Sequence, residues 1–124
     1  MRVPPPWQMP SVARGMLWGM RARRRVKRAL EQGRAGRVEV PDSRRIGHPG
    51  LRGARFVLRV FKDRCLVDAL VRQHWHAAHG SRRTLKIGVT SPASGFMAHA
   101  WLEGDPPSAW AGFTELARRP AAQD

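Results

Sequence analysis

The hydrophobic period of the chain changes at Gly80. Upstream, Leu66, Ala69, Leu70, Gln73 and Ala77 recur at steps of three and four, the mark of a helix with one buried face. Downstream, Leu85, Ile87 and Val89 alternate with Lys86 and Gly88, the period of two of a half-buried strand. One regular element cannot carry both periods, so the chain is expected to be helical first and β later, which is an α+β fold. Its 124 residues suit one domain with a modest core.

Local signals divide the rest. Residues 1–10, with Pro4-Pro5-Pro6 and Pro10, are expected as a flexible Pro-rich arm. Ser11 is placed to cap a helix running to about Gln32, with Met16, Leu17, Met20, Val26 and Leu30 as its apolar stripe and Gly33 as its stop. The Gly- and Pro-punctuated stretch 33–53 reads as a connector, with Val38-Glu39-Val40 as a short strand. Residues 54–61 form a short helix, and Asp63 caps a longer one over 64–79. After a turn at 91–95, a second strand over 96–103 carries Ala98, Ala100 and Leu102 on one face and Met97, His99 and Trp101 on the other. The two strands should pair antiparallel, and residues 109–118 read as a last helical stretch. The organisation expected is an arm at 1–10, a basic helix with its connector at 11–53, and a core at 54–124.

Charge and cysteine usage bound the chemistry. With 23 Lys+Arg against 9 Asp+Glu the net charge is +14, which permits an acidic partner without choosing one. Six of the eight residues from Arg21 to Arg28 are basic, and that run is either a solvated helix face or a patch for an acidic chain. A nucleic-acid-binding module would turn it towards phosphates, but no aromatic side chains interleave with the basic ones, and no nucleic acid is expected as partner. No apolar run reaches the roughly 20 residues that span a bilayer, and Arg14 and Arg21 interrupt any secretory core. A cytoplasmic protein without a membrane partner is expected. Cys65 is the single cysteine, so no disulfide and no thiolate metal cage can form within the chain. His76 and His79 can share a helix face, yet no carboxylate or thiol joins them at ligand spacing, and no phosphate-cradling glycine loop occurs. Neither metal nor cofactor is expected.

Cys65 falls in the first turn of its helix, where free N–H groups and the helix dipole favour a thiolate and can hold an oxyanion. Two roles are open to it: nucleophile, or small buried apolar residue. A nucleophile needs a base near neutral pH, and histidine supplies one. His74, His76 and His79 lie about 13 to 21 Å along the same helix at 1.5 Å per residue, too far to serve. His48 sits in the connector. His99 lies on a strand between Ala98 and Ala100, small neighbours that let a helix end approach, and is either that base or an edge histidine.

Cys65-Leu66-Val67, the helix end His79-Gly80, the strand Leu85-Lys86-Ile87-Gly88-Val89 and the run Gly95-Phe96-Met97-Ala98-His99-Ala100-Trp101-Leu102-Glu103 together resemble the lasso peptide biosynthesis B2 proteins, over about residues 54–103. Those are transglutaminase-like cysteine peptidases that remove the leader from a ribosomally made precursor. The resemblance implies a transglutaminase-like, papain-like core in which Cys65 attacks the scissile carbonyl and His99 is its base and then its acid. It also implies a carboxylate that orients the imidazole. Asp105 is the best candidate, with a plain turn aspartate as its other reading; Glu103 and Glu115 are further candidates, and a backbone carbonyl or water is the substitute. The strand that normally follows the histidine looks shortened, because Gly104-Asp105-Pro106-Pro107 arrives at once. The implied partners are a precursor peptide, a separate leader-recognition protein and an ATP-dependent lasso cyclase, with Trp7, Trp18 and the Arg21–Arg28 run as a docking surface. A catalytically inactive scaffold of the same fold is the remaining alternative.

Overall fold

The computed structural model describes residues 3, 5–34, 38–62, 64–90 and 97–121. They form two compact units, Met1–Asp63 and Arg64–Asp124. The first unit holds α1 (Met9–Glu31) and α2 (Gly50–Val60). Helix α1 begins two residues before Ser11, on a single 3-10 turn at Pro6–Gln8, so part of the expected arm is ordered helical backbone. Proline permits this because Pro10 sits in the first helical turn, where its missing N–H has no intrahelical acceptor to lose.

The buried face of α1 is Gly15, Trp18, Gly19, Ala22, Val26 and Ala29. That stripe is displaced from the expected one, and Leu17 and Met20 face solvent. The cause is glycine: α2 approaches α1 through Gly15 and Gly19, against Gly50 and Ala54, so the face of smallest side chains is the one that packs. Trp18 donates its indole N–H to the Pro41 carbonyl at 2.7 Å and ties the connector to α1. It is 3% exposed, which removes it from the docking surface expected of it, whereas Trp7 is 79% exposed. Residues 38–40 make no strand. The charged ends of the basic run stay at the surface, and Arg23 lies 4.1 Å from the Phe61 ring centroid.

The second unit holds α3 (Cys65–Ala78) and an antiparallel sheet of β1 (Leu85–Thr90), β2 (Ala98–Leu102) and β3 (Phe113–Arg119), ordered β2-β1-β3. Asp63, the expected turn at 91–95 and Phe96 lie outside the described residues; the residue before α3 is Arg64, and its side chain makes no cap. Helix α3 packs on β2 and β1, and its Val67, Ala69, Leu70, Val71 and Trp75 are buried, as are Leu85, Ala100, Trp101 and Leu102 of the sheet. Gln73, also buried, donates to the carbonyls of Arg83 (2.9 Å) and Arg119 (3.0 Å), so one amide joins the start of β1 and the end of β3 to α3.

The expected last helix is instead a 3-10 turn at Pro107–Ala109 followed by β3. Thr114 to Arg119 is rich in helix formers, but β1 has two edges and β2 fills only one. Pairing from Thr90↔Phe113 to Leu85↔Arg119 satisfies the second edge, with a register shift at Ile87/Gly88. A tertiary partner outweighs local propensity here. A strand does follow Glu103, beyond the 3-10 turn, and it pairs with β1 and not with β2.

Candidate active site

Cys65 is the first residue of α3, and the side chain of Arg64 before it makes no cap. The N–H groups of a helix's first turn have no intrahelical acceptor and point towards a ligand placed at that end. The half-buried thiol lies against β2, where the Ala100 N–H donates to Cys65 Sγ at 3.4 Å. Ala100 follows His99 directly, so the helix start and the histidine strand meet as the sequence led us to expect.

Strand β2 is an edge strand, and its outward amides alternate. The Ala100 amide goes to Cys65, and the next outward amide, Leu102, donates to Asp105 Oδ2 at 2.9 Å. Asp105 also receives Arg72 Nη1 at 2.8 Å and Nη2 at 3.2 Å, a two-pronged contact between side chains only 13% and 9% exposed. Arg72 lies seven residues after Cys65, two turns along the same face of α3. Cys65 and Asp105 thus hold one edge of the His99 strand to α3 at two points. Burial disfavours the charge on Arg72, but the Asp105 hydrogen bond and the nearby Asp68 carboxylate more than offset this and hold its pKa above the usual value.

The His99 ring has different neighbours. By register it shares a sheet face with Gly88, and its centroid lies 4.9 Å from Phe113 and 6.0 Å from Trp101. Gly88 is what makes room: a Cβ there would meet the Trp101 ring at 2.8 Å and the Thr114 carbonyl oxygen at 2.7 Å. Among the described residues no hydrogen bond joins His99 to Cys65, and Asp105 is held by Arg72 and Leu102. Glu115 pairs with Arg118, at 2.9 Å, and Glu103 is exposed on the turn after β2. The ring cluster His99–Trp101–Phe113 and the Arg72 partner of Asp105 were not foreseen. The alternation of His99 and Trp101 around Ala100 was the signal for the first; an Arg at Cys65 + 7 was the signal for the second.

The other histidines do structural work. His79 donates its Nδ1–H to the Trp75 carbonyl (2.8 Å) and stacks on the Trp75 ring. Burial, then the charges of Arg83 and Arg72, push His76 down to about 4, with Asp105 opposing; burial and Arg119 also lower His74. Both are neutral when folded at neutral pH, while the unfolded chain takes up protons near 6.5. Stability is therefore expected to be level above pH 6.5 and to fall as pH drops from 6.5 towards 4. The urea midpoint measured across that window checks this, and the slope should flatten in His76→Gln.

Among the described residues no group of three or more His, Cys, Asp or Glu could hold a metal ion, and no helix is long and apolar enough to cross a membrane. The family model described as the transglutaminase-like superfamily matches residues 9–118, which includes α1 and α2 as well as the stretch that carries the motif residues. No curated protein and no solved structure matches the chain.

Proposed function

The chain belongs to the transglutaminase-like superfamily, and from that premise we propose that it is a cysteine peptidase that removes the leader from a ribosomally made lasso peptide precursor. The observation that carries this reading is the Cys65 thiol at the start of α3, against the peptide that joins His99 to Ala100. Cys65 is the nucleophile in this proposal. Its sulfur, having given its proton to His99, adds to the carbonyl carbon at the leader–core junction, and the oxyanion is met by the free N–H groups of the helix start. His99 returns the proton to the departing amine as the C–N bond breaks, leaving a thioester on Cys65. Water, losing a proton to His99, then attacks the thioester; the leader carboxylate leaves and the thiol is restored. The His99 imidazole must come within about 3 Å of its proton acceptor or donor for these transfers, which requires a side-chain rotation away from Phe113. Asp105 acts in this scheme as a positioning residue that fixes the His99 strand on α3 through Arg72.

A separate leader-recognition protein and an ATP-dependent cyclase are the partners this reading calls for. A second reading, a non-catalytic member of the superfamily, is favoured by one observation: Asp105 is committed to Arg72 rather than to the imidazole. Mass spectrometry separates the two. A candidate precursor is incubated with its recognition protein and either wild type or Cys65→Ala. Leader loss with wild type alone is the expected result. Leader loss that persists in Cys65→Ala would remove the thiol mechanism, and an intact precursor in both samples would favour the scaffold.

A further inference from the structure

A cavity of about 400 Å³ opens on the face of the sheet that carries His99. Its walls are aromatic: Trp101 and Phe113, which both contact the His99 ring, and Trp110, which is 39% exposed and held by a 3.2 Å hydrogen bond from its indole N–H to the Asp105 carbonyl. The Trp101 and Phe113 centroids stand 6.4 Å apart at 45°, a spacing within the range in which aromatic rings attract one another.

The rim is charged but balanced. Lys86, Glu103, Asp105 and Glu115 line the cavity, and the carboxylates of Glu115 and Asp105 are paired outside it, with Arg118 and Arg72. Two of the three carboxylates are thus already neutralised by arginine, and the rings supply the apolar surface that an occupant meets. Its volume accommodates one large side chain.

We propose that this cavity is a substrate subsite, taking an aromatic side chain of the peptide whose neighbouring bond is presented to Cys65 and His99. The inference rests on the peptidase reading for the identity of the ligand as a peptide. The rings that form the cavity are also the rings against which His99 rests, so an aromatic side chain bound there lies beside the proposed base.

The test is a titration of full-length Cys65→Ala with N-acetyl-L-phenylalaninamide, followed through the indole N–H signals of the chain's 5 tryptophans. Trp101 and Trp110 should shift saturably, while Trp7, Trp18 and Trp75 stay in place, and Trp110→Ala should weaken binding at least about tenfold. Cross-relaxation from the ligand ring protons to Trp101 gives a second readout that needs no cavity variant. Equal or stronger responses to N-acetyl-L-alaninamide or N-acetyl-L-lysinamide would overturn the aromatic assignment, as would the absence of a saturable shift. Because Cys65→Ala can do no thiol chemistry, binding and cleavage fail separately. Loss of binding with cleavage intact in wild type removes the subsite alone, and binding without cleavage removes the peptidase reading alone.

Discussion

Replacing Arg72 by methionine will destabilise the C-terminal unit by about 3–5 kcal/mol, the usual result of stranding one partner of a buried ion pair. Asp105 would keep a carboxylate at 9% exposure without the guanidinium that neutralises it. Asp105→Asn should cost less, about 1–3 kcal/mol, because Arg72 retains Asp68 at 36% exposure. The double variant Arg72→Met/Asp105→Leu should recover part of the loss, since an apolar pair strands no charge. Urea unfolding followed by near-ultraviolet circular dichroism measures all three, and a change below about 1 kcal/mol for Arg72→Met would show that the pair behaves as a solvated one. The same variants address the third catalytic role. If Asp105 positions the His99 strand, cleavage should fall in parallel in Arg72→Met and Asp105→Asn at temperatures where both are folded. If it orients the imidazole directly, Asp105→Asn alone should lose rate and shift the pH profile.

Alanine at Gly15 or Gly53 will separate α1 from α2. A Cβ at Gly15 would overlap the Gly50 carbonyl oxygen, and one at Gly53 would overlap the Val12 carbonyl oxygen. Both obstacles are backbone, which cannot rotate aside. The expected cost is about 3 kcal/mol or more, the upper end for overpacking, after allowing for the roughly 1 kcal/mol that alanine gains over glycine within a helix. Gly33→Ala is the control: nothing lies within 4 Å of its Cβ, and only its φ of +69° opposes the change, so about 1–2 kcal/mol is expected. Unfolding reported by the buried Trp18 distinguishes the sites. Equal effects at all three positions would mean that the close helix contact is not what these glycines provide.

Much of the fold was legible in the chain itself. The three- and four-residue steps of 66–77 and the alternation of 85–89 placed α3 and β1 to within one residue at either end, because burial on one side imposes its period directly on the sequence. The pairing of β1 with β2 followed from their short separation. Less legible was α1, whose buried face is marked by Gly15 and Gly19, residues with no hydropathy signal of their own; the four-residue spacing of those glycines was the available clue. Strand β3 was illegible, since its residues favour a helix and only the open edge of β1 makes them a strand.

The site divides in the same way. Cys65 at a helix start and His99 between two alanines are legible in the sequence, since periods and small neighbours are local; that the thiol lies against β2 is a tertiary contact. Where their side chains go is a matter of tertiary contacts. Arg72 claims Asp105 because two turns of α3 carry it to the end of β2. The Trp101 ring beside His99 lies over Gly88 of the central strand, where any Cβ would meet it. Local periodicity assigns a residue to an element and a face; only the packed structure decides which partner, among those within reach, it meets.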